Sequence, residues 1–265
     1  MSGTDWLSLC RAAVDDVRAV LVDLPGRADR EPVVRTGEGG DDTTAIDEAA
    51  ERAILARFEA AEDVTIVSEE VGVVGDGRWR VVVDPIDGSL NAKRGIPFFS
   101  LSVAVADGDT MGDVRFGYVY DFGTGEEWTA TLGGGAFLDG AQLGGEKPKG
   151  RIEILSFEAT RTDLVAEKAA AFVGTAHRLR IMGSLAISLC HLAAGRVDGV
   201  VSLKEARSVD IAAAQLLVRE CGLCIDLPWD APFEDAKLDL VGRSRVVAAG
   251  TPALCDSLKT ALGDP

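Results

Sequence analysis

The chain has 265 residues, a formal net charge of −16 at pH 7 and a hydrophobic fraction of 47%. This length suffices for a substantial core in one large or two small domains. The acidity argues against nucleic acid as a main partner, because phosphate backbones attract cations. No apolar run reaches the roughly 18 residues of a transmembrane helix, and no basic-then-apolar signal pattern opens the chain, so we expect a cytoplasmic protein without a membrane partner.

The basic residues are skewed toward arginine, with twenty Arg and only seven Lys. An acidic, lysine-poor surface fits a cytoplasm of high salt concentration, where screening weakens the repulsion between like charges. A genome rich in G and C would favour Arg and Asp codons and produce the same bias. Composition therefore leaves both a halophilic origin and a codon effect open.

The first half of the chain predicts helices followed by a sheet. Helical spacing runs from Asp5 to Val22 and from Thr44 to Ala60, and the polar, glycine-rich stretch Arg27–Asp42 between them is typical of a mobile loop. Short apolar segments separated by glycine-rich turns then predict an antiparallel sheet. The predicted strands are Val64–Val67, Trp79–Val83, Ser100–Ala106, Val114–Tyr120 and Glu127–Thr131.

A change of pattern near Lys147–Gly150 begins a second half in which strands alternate with helices, as in an α/β fold. The predicted elements are a strand at 152–156, a helix at 163–172, a strand at 179–182, a helix from 184, a strand at 200–202, a helix from about 210, a strand at 245–249 and a last helix. We therefore divide the chain into an α+β half, residues 1–150, and an α/β half, residues 151–265.

The most informative motif follows the apolar run Val81–Val83 and reads Asp84-Pro85-Ile86-Asp87-Gly88-Ser89. A strand that ends in this way places two carboxylates at the edge of a sheet, and proline and glycine favour a tight turn there. A helix that opens at Ser89 would turn free N–H groups toward an anion. Clustered carboxylates beside an anion-binding turn suggest Mg²⁺ together with a phosphate ester.

The same residue types are also common in plain acidic turns, so the motif alone does not decide the function. Three further segments occur around it: Asp47 in TTAIDEAAERAI, Glu69 and Glu70 in VSEEVG, and Asp210 in SVDIAAAQLLVRECG. Asp47 and Asp210 each stand at the start of a predicted helix, where an aspartate also serves as a cap.

Together the four segments, in this order, resemble the inositol monophosphatase superfamily of Mg²⁺-dependent, lithium-sensitive phosphatases. The following Arg94-Gly95-Ile96-Pro97-Phe98-Phe99 is most similar to the archaeal branch, which acts on inositol monophosphate and fructose 1,6-bisphosphate. The resemblance implies a layered αβαβα sugar-phosphatase fold, with an antiparallel sheet in the N-terminal half and a mixed sheet in the C-terminal half. It also implies that the protein forms a homodimer and that its ligand is a small phosphate ester.

The resemblance further implies site roles. Glu69, Asp84 and the carbonyl of Ile86 would hold a first Mg²⁺, and Asp84, Asp87 and Asp210 a second, with Mn²⁺ as a substitute. A third, weaker ion would involve Glu69, with Glu38, Asp41 and Asp42 as candidates from the preceding loop. Asp47, Ser89 and Glu69 would be catalytic, the first two by orienting the attacking water. The N–H groups of Gly88 and Ser89 would bind phosphate.

We expect the residues that select the substrate to lie in the segment before Asp210. Inositol-binding relatives often place a carboxylate on that strand, and Ser202 stands there in this chain. Four basic side chains are candidates for a second phosphate instead: Arg178, Arg180, Lys204 and Arg207. Because arginine binds phosphate through two nitrogens, we rank fructose 1,6-bisphosphate above inositol 1-phosphate. Solvent-facing charges on an acidic surface are the simpler explanation of the same residues.

Three rival functions remain. A nucleotide 3′-phosphatase of the same superfamily, acting on adenosine 3′,5′-bisphosphate or NADP, would share the metal ligands. An aspartyl-phosphate phosphatase of the haloacid dehalogenase type is disfavoured, because it needs Asp-x-Asp at a strand end and this chain has Asp-x-x-Asp with proline between. A non-catalytic cation-binding module would not need Ser89 and Asp47 beside the ligands.

Overall fold

The structure is a computed structural model that describes residues 4–37, 42–145, 147–158, 161–228 and 232–263. In the first part of the chain the elements are α1 (Trp6–Asp23), α2 (Arg27–Arg30), β1 (Val33–Thr36), β2 (Asp42–Thr44), α3 (Ala45–Phe58), β3 (Val64–Ser68), β4 (Gly72–Gly75), β5 (Trp79–Asp87), α4 (Ser89–Arg94), β6 (Ser100–Ala106), β7 (Val114–Asp121), β8 (Glu127–Thr131), β9 (Gly135–Leu138) and β10 (Ala141–Gln142).

The second part contributes β11 (Ile152–Glu158), α5 (Thr162–Lys168), β12 (Ala176–Arg180), α6 (Leu185–Ala193), β13 (Gly199–Ser202), α7 (Ser208–Glu220), β14 (Cys224–Asp226), β15 (Val247–Ala249) and α8 (Pro252–Leu262). Short 3₁₀ turns lie at Met111–Asp113, Ala169–Phe172 and Phe233–Asp235. No helix in the described ranges has both the length and the apolar character needed to cross a membrane.

Two large sheets organise the fold. The first has eight strands in the order β10-β9-β8-β7-β6-β5-β3-β4, and all its neighbours are antiparallel except the parallel pair β3 and β5. The second has five strands in the order β12-β11-β13-β15-β14, with β11 parallel to both its neighbours and the other pairs antiparallel. The predicted antiparallel and mixed sheets are therefore confirmed.

Alternation along the strands assigns each sheet face to a different helix layer. Val81 and Val83 of β5 pack with the inner sides of α1 and α3, whereas Val82 between them faces the core formed by α6 and α7. In the five-stranded sheet, Val200 of β13 joins that same central core, and Val201 packs against the layer of α5 and α8. The layers are thus helix, sheet, helix, sheet, helix, as the resemblance predicts.

One part of the predicted secondary structure was wrong. The stretch Arg27–Asp42 was expected to be a mobile loop, but its described residues include α2 and the strand β1, which pairs with β2. The guanidinium of Arg30 anchors this segment, because it donates hydrogen bonds to the carbonyls of Leu21, Leu24 and Ala92. The helix α2 and the strand β1 therefore precede α3, the helix that carries Asp47.

Candidate active site

The strand β5 turns Asp84 and Asp87 to the same side of the sheet. Residues three apart on a regular strand point to opposite faces, but β5 has an irregularity here, with Asp84 opposite Ser102 and Asp87 opposite Ser100. The extra residue restores a common face. Asp84 accepts a hydrogen bond from the N–H of Ile86 at 3.0 Å, which fixes the carboxylate at the bend.

The turn after β5 depends on Gly88. Its φ of 94° lies in the left-handed region, and a Cβ at this position would lie 3.0 Å from the carbonyl oxygens of Gly183 and Phe98. Only glycine meets both demands without strain. Ser89 then begins α4 and lines the same cavity as the two aspartates.

Asp47 lies at the third position of α3, where it caps the helix. Its carboxylate accepts hydrogen bonds from the N–H of Thr44 at 3.1 Å and from the Thr44 hydroxyl. The ammonium of Lys93 on α4 lies 3.6 Å from the same carboxylate. The capping role and a place in the cavity wall therefore coexist, as the sequence allowed.

Glu69 and Glu70 lie on the turn after β3, and a residue that the sequence analysis missed holds this turn. The buried carboxylate of Glu51, on α3, accepts hydrogen bonds from the Ser68 hydroxyl at 2.7 Å and from the N–H groups of Glu70 and Val71 at 3.1 and 3.0 Å. Its spacing of four residues from Asp47, on the same helix face, was the available signal.

The guanidinium of Arg35 completes this support. It donates to the carbonyl of Glu70 at 2.8 Å and pairs with Glu51 at 3.2 Å. The side chain of Glu70 in turn accepts a hydrogen bond from Thr43 of β2. Both the β1–β2 hairpin and α3 therefore position the turn that presents Glu69.

Asp210 is contributed to the site by the second half of the chain, and it lies at the third position of α7. One of its oxygens accepts the N–H of Arg207 at 2.7 Å, so the carboxylate closes the start of the helix. The other oxygen lies 3.7 Å from the Arg207 guanidinium, which also donates to Glu69. The structure thus brings Asp210 to the residues of the sheet edge.

Glu69, Asp84 and Asp210 form the centre of the site, since one oxygen from each lies within 4.8 Å of the others. They line a cavity of about 240 Å³, which we call the acidic cavity. Its wall also contains these sequence-predicted residues: Asp42, Asp47, Ile86, Asp87, Gly88, Ser89, Lys204 and Arg207. Converging carboxylate oxygens are the donors that a hard divalent cation prefers, so the set fits the metal that the motif predicts.

The electrostatics support the same fit. Burial raises the pKa of Glu69 and that of Asp87 to about 7, and the hydrogen bonds that Asp87 accepts from Ser184 and from the Ala186 N–H only partly oppose this. Burial and the charges of Glu69 and Asp87 raise the pKa of Asp84 well above its usual range. A cluster of this kind is compensated by a bound cation.

A second cavity of about 130 Å³ adjoins the first and shares Asp87, Lys204, Arg207 and Asp210 with it. We call it the adjoining cavity. Its wall includes Ser202, whose hydroxyl accepts the N–H of Val246 at 2.7 Å. Ser202 therefore lies at a cavity wall as expected, with its oxygen already engaged by the backbone.

The carboxylate beside Ser202 belongs to Glu158, which the sequence analysis did not identify. The parallel register of β11 and β13 pairs Glu158 with Ser202. Glu158 is buried and accepts hydrogen bonds from Ser156 and Ser188 at 2.8 Å each, and from the Gly183 N–H at 2.9 Å. A carboxylate therefore lies beside Ser202, but it belongs to the neighbouring strand β11 and not to β13 itself.

Two of the predicted substrate contacts lie elsewhere. Arg178 and Arg180 are exposed on β12, an edge strand, and neither lines the acidic or the adjoining cavity among the residues that the structure describes. Arg180 donates to the carbonyl of Leu179 instead. Glu38 and Asp41, two of the candidates for a third metal ion, lie outside the described residues.

Comparison with known proteins identifies the family. The chain matches the inositol monophosphatase family over residues 8–260. It is 33% identical to the fructose-1,6-bisphosphatase/inositol-1-monophosphatase of Archaeoglobus fulgidus, over 98% of this chain and 100% of that protein. It is 28% identical to a bifunctional NADP phosphatase/NAD kinase of Methanococcus maripaludis, over 91% of this chain and 46% of that protein.

A solved structure agrees with these sequence matches. The MJ0109 gene product, described as an inositol monophosphatase-fructose 1,6 bisphosphatase, superposes with a TM-score of 0.85 at 27% identity, covering 97% of this chain and 100% of that one. The match in sequence and in fold extends over almost the whole chain. The protein therefore belongs to the inositol monophosphatase family of phosphatases.

Proposed function

We propose that the protein is a Mg²⁺-dependent phosphomonoesterase that hydrolyses small sugar or polyol phosphates, with fructose 1,6-bisphosphate ranked first and inositol 1-phosphate second. The observation that carries this proposal is the convergence of Glu69, Asp84 and Asp210 within 4.8 Å, in a cavity that the Gly88–Ser89 turn also lines. Metal dependence is a property of the family, and the names of several relatives include both substrates.

The carboxylates divide into two sets of ligands. Glu69, Asp84 and the carbonyl of Ile86 would hold one Mg²⁺, and Asp84, Asp87 and Asp210 a second. A third, weaker ion would be held by Glu69 together with Asp42, which lines the same cavity. Mn²⁺, which also prefers oxygen ligands, would substitute. When bound, the ions neutralise the phosphate dianion and lower the pKa of the attacking water.

The protein's own contribution is to position the reactants. The Gly88–Ser89 turn receives the phosphate oxygens, and the Ser89 hydroxyl together with the Asp47 carboxylate orients the water for in-line attack. Asp47 suits this role because Thr44 and Lys93 hold its carboxylate from two sides. No covalent phosphoenzyme is needed in this arrangement.

The adjoining cavity would receive the sugar or polyol. Lys204 and Arg207 line both cavities, so a substrate with a second phosphate would meet two cations there. Ser202 and the buried carboxylate of Glu158 lie at the same wall and suit contacts with hydroxyl groups. With Arg178 and Arg180 outside the cavity, the preference for a bisphosphate rests on Lys204 and Arg207.

A second candidate is a phosphatase acting on NADP or adenosine 3′,5′-bisphosphate, because the similarity to the bifunctional NADP phosphatase/NAD kinase covers most of this chain. The chain spans about half of that relative's length, so the similarity does not extend to both activities. Both candidates use the same carboxylates and differ in what enters the adjoining cavity.

The experiment is a phosphate-release assay on all four substrates, with Mg²⁺ and with a chelator, at low and high KCl concentrations. We expect Mg²⁺-dependent release with the highest kcat/KM for fructose 1,6-bisphosphate, and loss of that advantage in Lys204→Ala. Release that is independent of metal, or none from any substrate, would contradict the proposal. A preference for inositol 1-phosphate that Lys204→Ala leaves unchanged would reverse the ranking.

The resemblance also supports three subsidiary proposals: a homodimer in solution, inhibition by lithium and a cytoplasmic location. Sedimentation at assay concentrations measures the first. Lithium at tens of millimolar, roughly the range of weak ion binding, should inhibit in competition with Mg²⁺. An uninhibited enzyme at that concentration would separate this chain from the lithium-sensitive branch of the family.

A further inference from the structure

Arg207 occupies an unusual place in the acidic cavity. Its side chain is 8% exposed, and the guanidinium donates to Glu69, which is 138 residues away along the chain. The same nitrogen lies 3.7 Å from Asp210. The two carboxylates paired with this cation are therefore two of the three that converge at the centre of the site.

A buried guanidinium is retained only where carboxylates or other acceptors compensate its desolvation. Within the described part of the chain, Nη1 of Arg207 is buried without a hydrogen-bond partner, so the compensation comes mainly from Glu69 and Asp210. The arginine thus stabilises the arrangement of these two carboxylates, and they stabilise the arginine.

A divalent cation bound by the same carboxylates would lie close to the guanidinium. Even if each cation contacts a different oxygen of Glu69, the two positive charges repel each other over a short distance in a poorly solvated site. Binding of the metal and pairing of Arg207 with Glu69 therefore oppose each other.

On this basis, and resting on the metal-dependent function proposed above, we infer that Arg207 is a built-in counter-ion: it holds Glu69 and Asp210 together before metal binds, and it sets the metal affinity by competing for them. Release from Glu69 leaves the guanidinium at the boundary with the adjoining cavity, since Arg207 lines both. The residue thereby links metal binding to the side of the site that receives the substrate.

The test is calorimetric titration of chelator-treated protein with MgCl₂, for the wild type and for Arg207→Met. We expect Mg²⁺ to bind the variant about tenfold more tightly, within the usual range of coupling between two ligands. The melting temperature in chelator should fall, because the carboxylates lose their counter-ion. A purely structural ion pair would lower that melting temperature without tightening Mg²⁺ binding.

Arg219→Met is the matched control, because Arg219 lies on α7, the helix that Arg207 directly precedes, pairs with Glu234 at 2.7 Å and lines neither cavity. It removes the same charge and should leave the Mg²⁺ affinity within about twofold of the wild type, as expected for a screened, distant charge. Arg207→Gln is a second neutral variant that keeps some hydrogen bonding, and it decides the question if the Met variant does not fold.

The outcomes separate the two proposals. If the wild type binds Mg²⁺ and releases phosphate while neither Arg207 variant binds the metal more tightly, the counter-ion inference is wrong and the proposed function stands. If the wild type binds neither Mg²⁺ nor Mn²⁺ and shows no metal-dependent hydrolysis, both fail. Equal tightening in Arg219→Met would show that net charge, not the position of Arg207, is responsible.

Discussion

Two walls of the acidic cavity are held by different kinds of contact. On the wall formed by Asp47, Asp84 and Asp87, each carboxylate accepts at least one hydrogen bond from a backbone N–H group. A second wall carries Lys204, which is exposed on the segment between β13 and α7, and Arg207, whose guanidinium pairs with the side chains of Glu69 and Asp210.

This difference has a functional consequence. Backbone contacts fix the carboxylates to the sheet edge and to a helix start, so their geometry is set when the fold forms and suits chemistry that tolerates little displacement. On the second wall, a single substitution can change a side-chain contact and leave the backbone of the sheets unchanged. We therefore propose that the first wall carries catalysis and the second wall selects the substrate, and substitutions on or behind the first wall test its part in this division.

The largest effect is expected from Asp84→Asn on the first wall. Asp84 is shared between both proposed metal positions, so the variant should lose about 10³-fold or more in kcat, given the role of metals in this chemistry. The fold should persist, because the change removes one charge from a repelling cluster. Steady-state kinetics and a melting curve in chelator measure both effects.

Asp121→Asn is the control for Asp84→Asn. Asp121 is also a buried aspartate of the eight-stranded sheet, but it accepts the Gly123 N–H at 2.7 Å and lines neither cavity. That variant should affect stability and leave kcat of the folded protein nearly unchanged. Activity close to the wild type in Asp84→Asn would remove Asp84 from the site.

A smaller loss should follow from Ser89→Ala. If the hydroxyl orients the attacking water, kcat should fall by roughly 10²-fold, the lower range for proton-handling groups, and KM should change little. Ser257, on the outer face of α8, gives an inert comparison as Ser257→Ala. An increase in KM at constant kcat, or a trapped phospho-aspartate, would argue against this role.

Glu51→Gln tests whether a residue that does not line the cavity affects metal binding by positioning Glu69. Glu51 touches neither cavity but holds the Glu69–Glu70 turn through three hydrogen bonds. The variant should weaken Mg²⁺ binding by about tenfold, as substitutions behind metal ligands commonly do. Glu48→Gln is the control, since Glu48 lies on the same helix and also contacts Arg35 but makes none of these bonds to the turn.

Glu51 and Glu158 also show where prediction from sequence ends. The Asp84–Ser89 motif was readable because its geometry is local: a strand, a proline and a glycine that needs a positive φ. The role of Glu51 depends on α3 packing beside the Ser68–Val71 turn, and that of Glu158 on the register of β11 against β13. The spacing of Glu51 from Asp47 places both side chains on one face of α3 but does not identify the turn that Glu51 holds, and the pairing of Glu158 with Ser202 leaves no periodic signal in the chain.

Pairing with an adjacent strand explains the remaining differences in secondary structure. The strands β4, β9, β10 and β14 have two to four residues each and were not predicted, because such short segments acquire strand geometry from their neighbours. Arg178 and Arg180 were predicted to contact the substrate but lie on an edge strand outside both cavities, and the sequence does not distinguish an edge strand from a central one. The division at residue 150 stays a prediction, and one core contains side chains from both sheets.

The smallest effect concerns pH and the stability of the metal-free protein. The folded-state pKa of Glu69 and of Asp87 is about 7, above the ordinary values of about 4 for unfolded carboxyls. The folded protein therefore binds more protons than the unfolded chain between about pH 4 and 7, so these groups lower the free energy of unfolding as the pH rises through that window. In chelator we expect the melting temperature to be lower by a few degrees at pH 8 than at pH 6.

Excess Mg²⁺ should remove this decline, because the bound cation favours the ionised carboxylates and stabilises the folded state. In Asp87→Asn one of the raised carboxyls is absent, so the decline in chelator should be shallower. The other titrating groups of the chain contribute equally with and without metal, which makes the difference between the two curves the informative quantity. If Mg²⁺ left the pH dependence unchanged, Glu69 and Asp87 would not be ligands of the metal, and the division between a catalytic and a selecting wall would lose its basis.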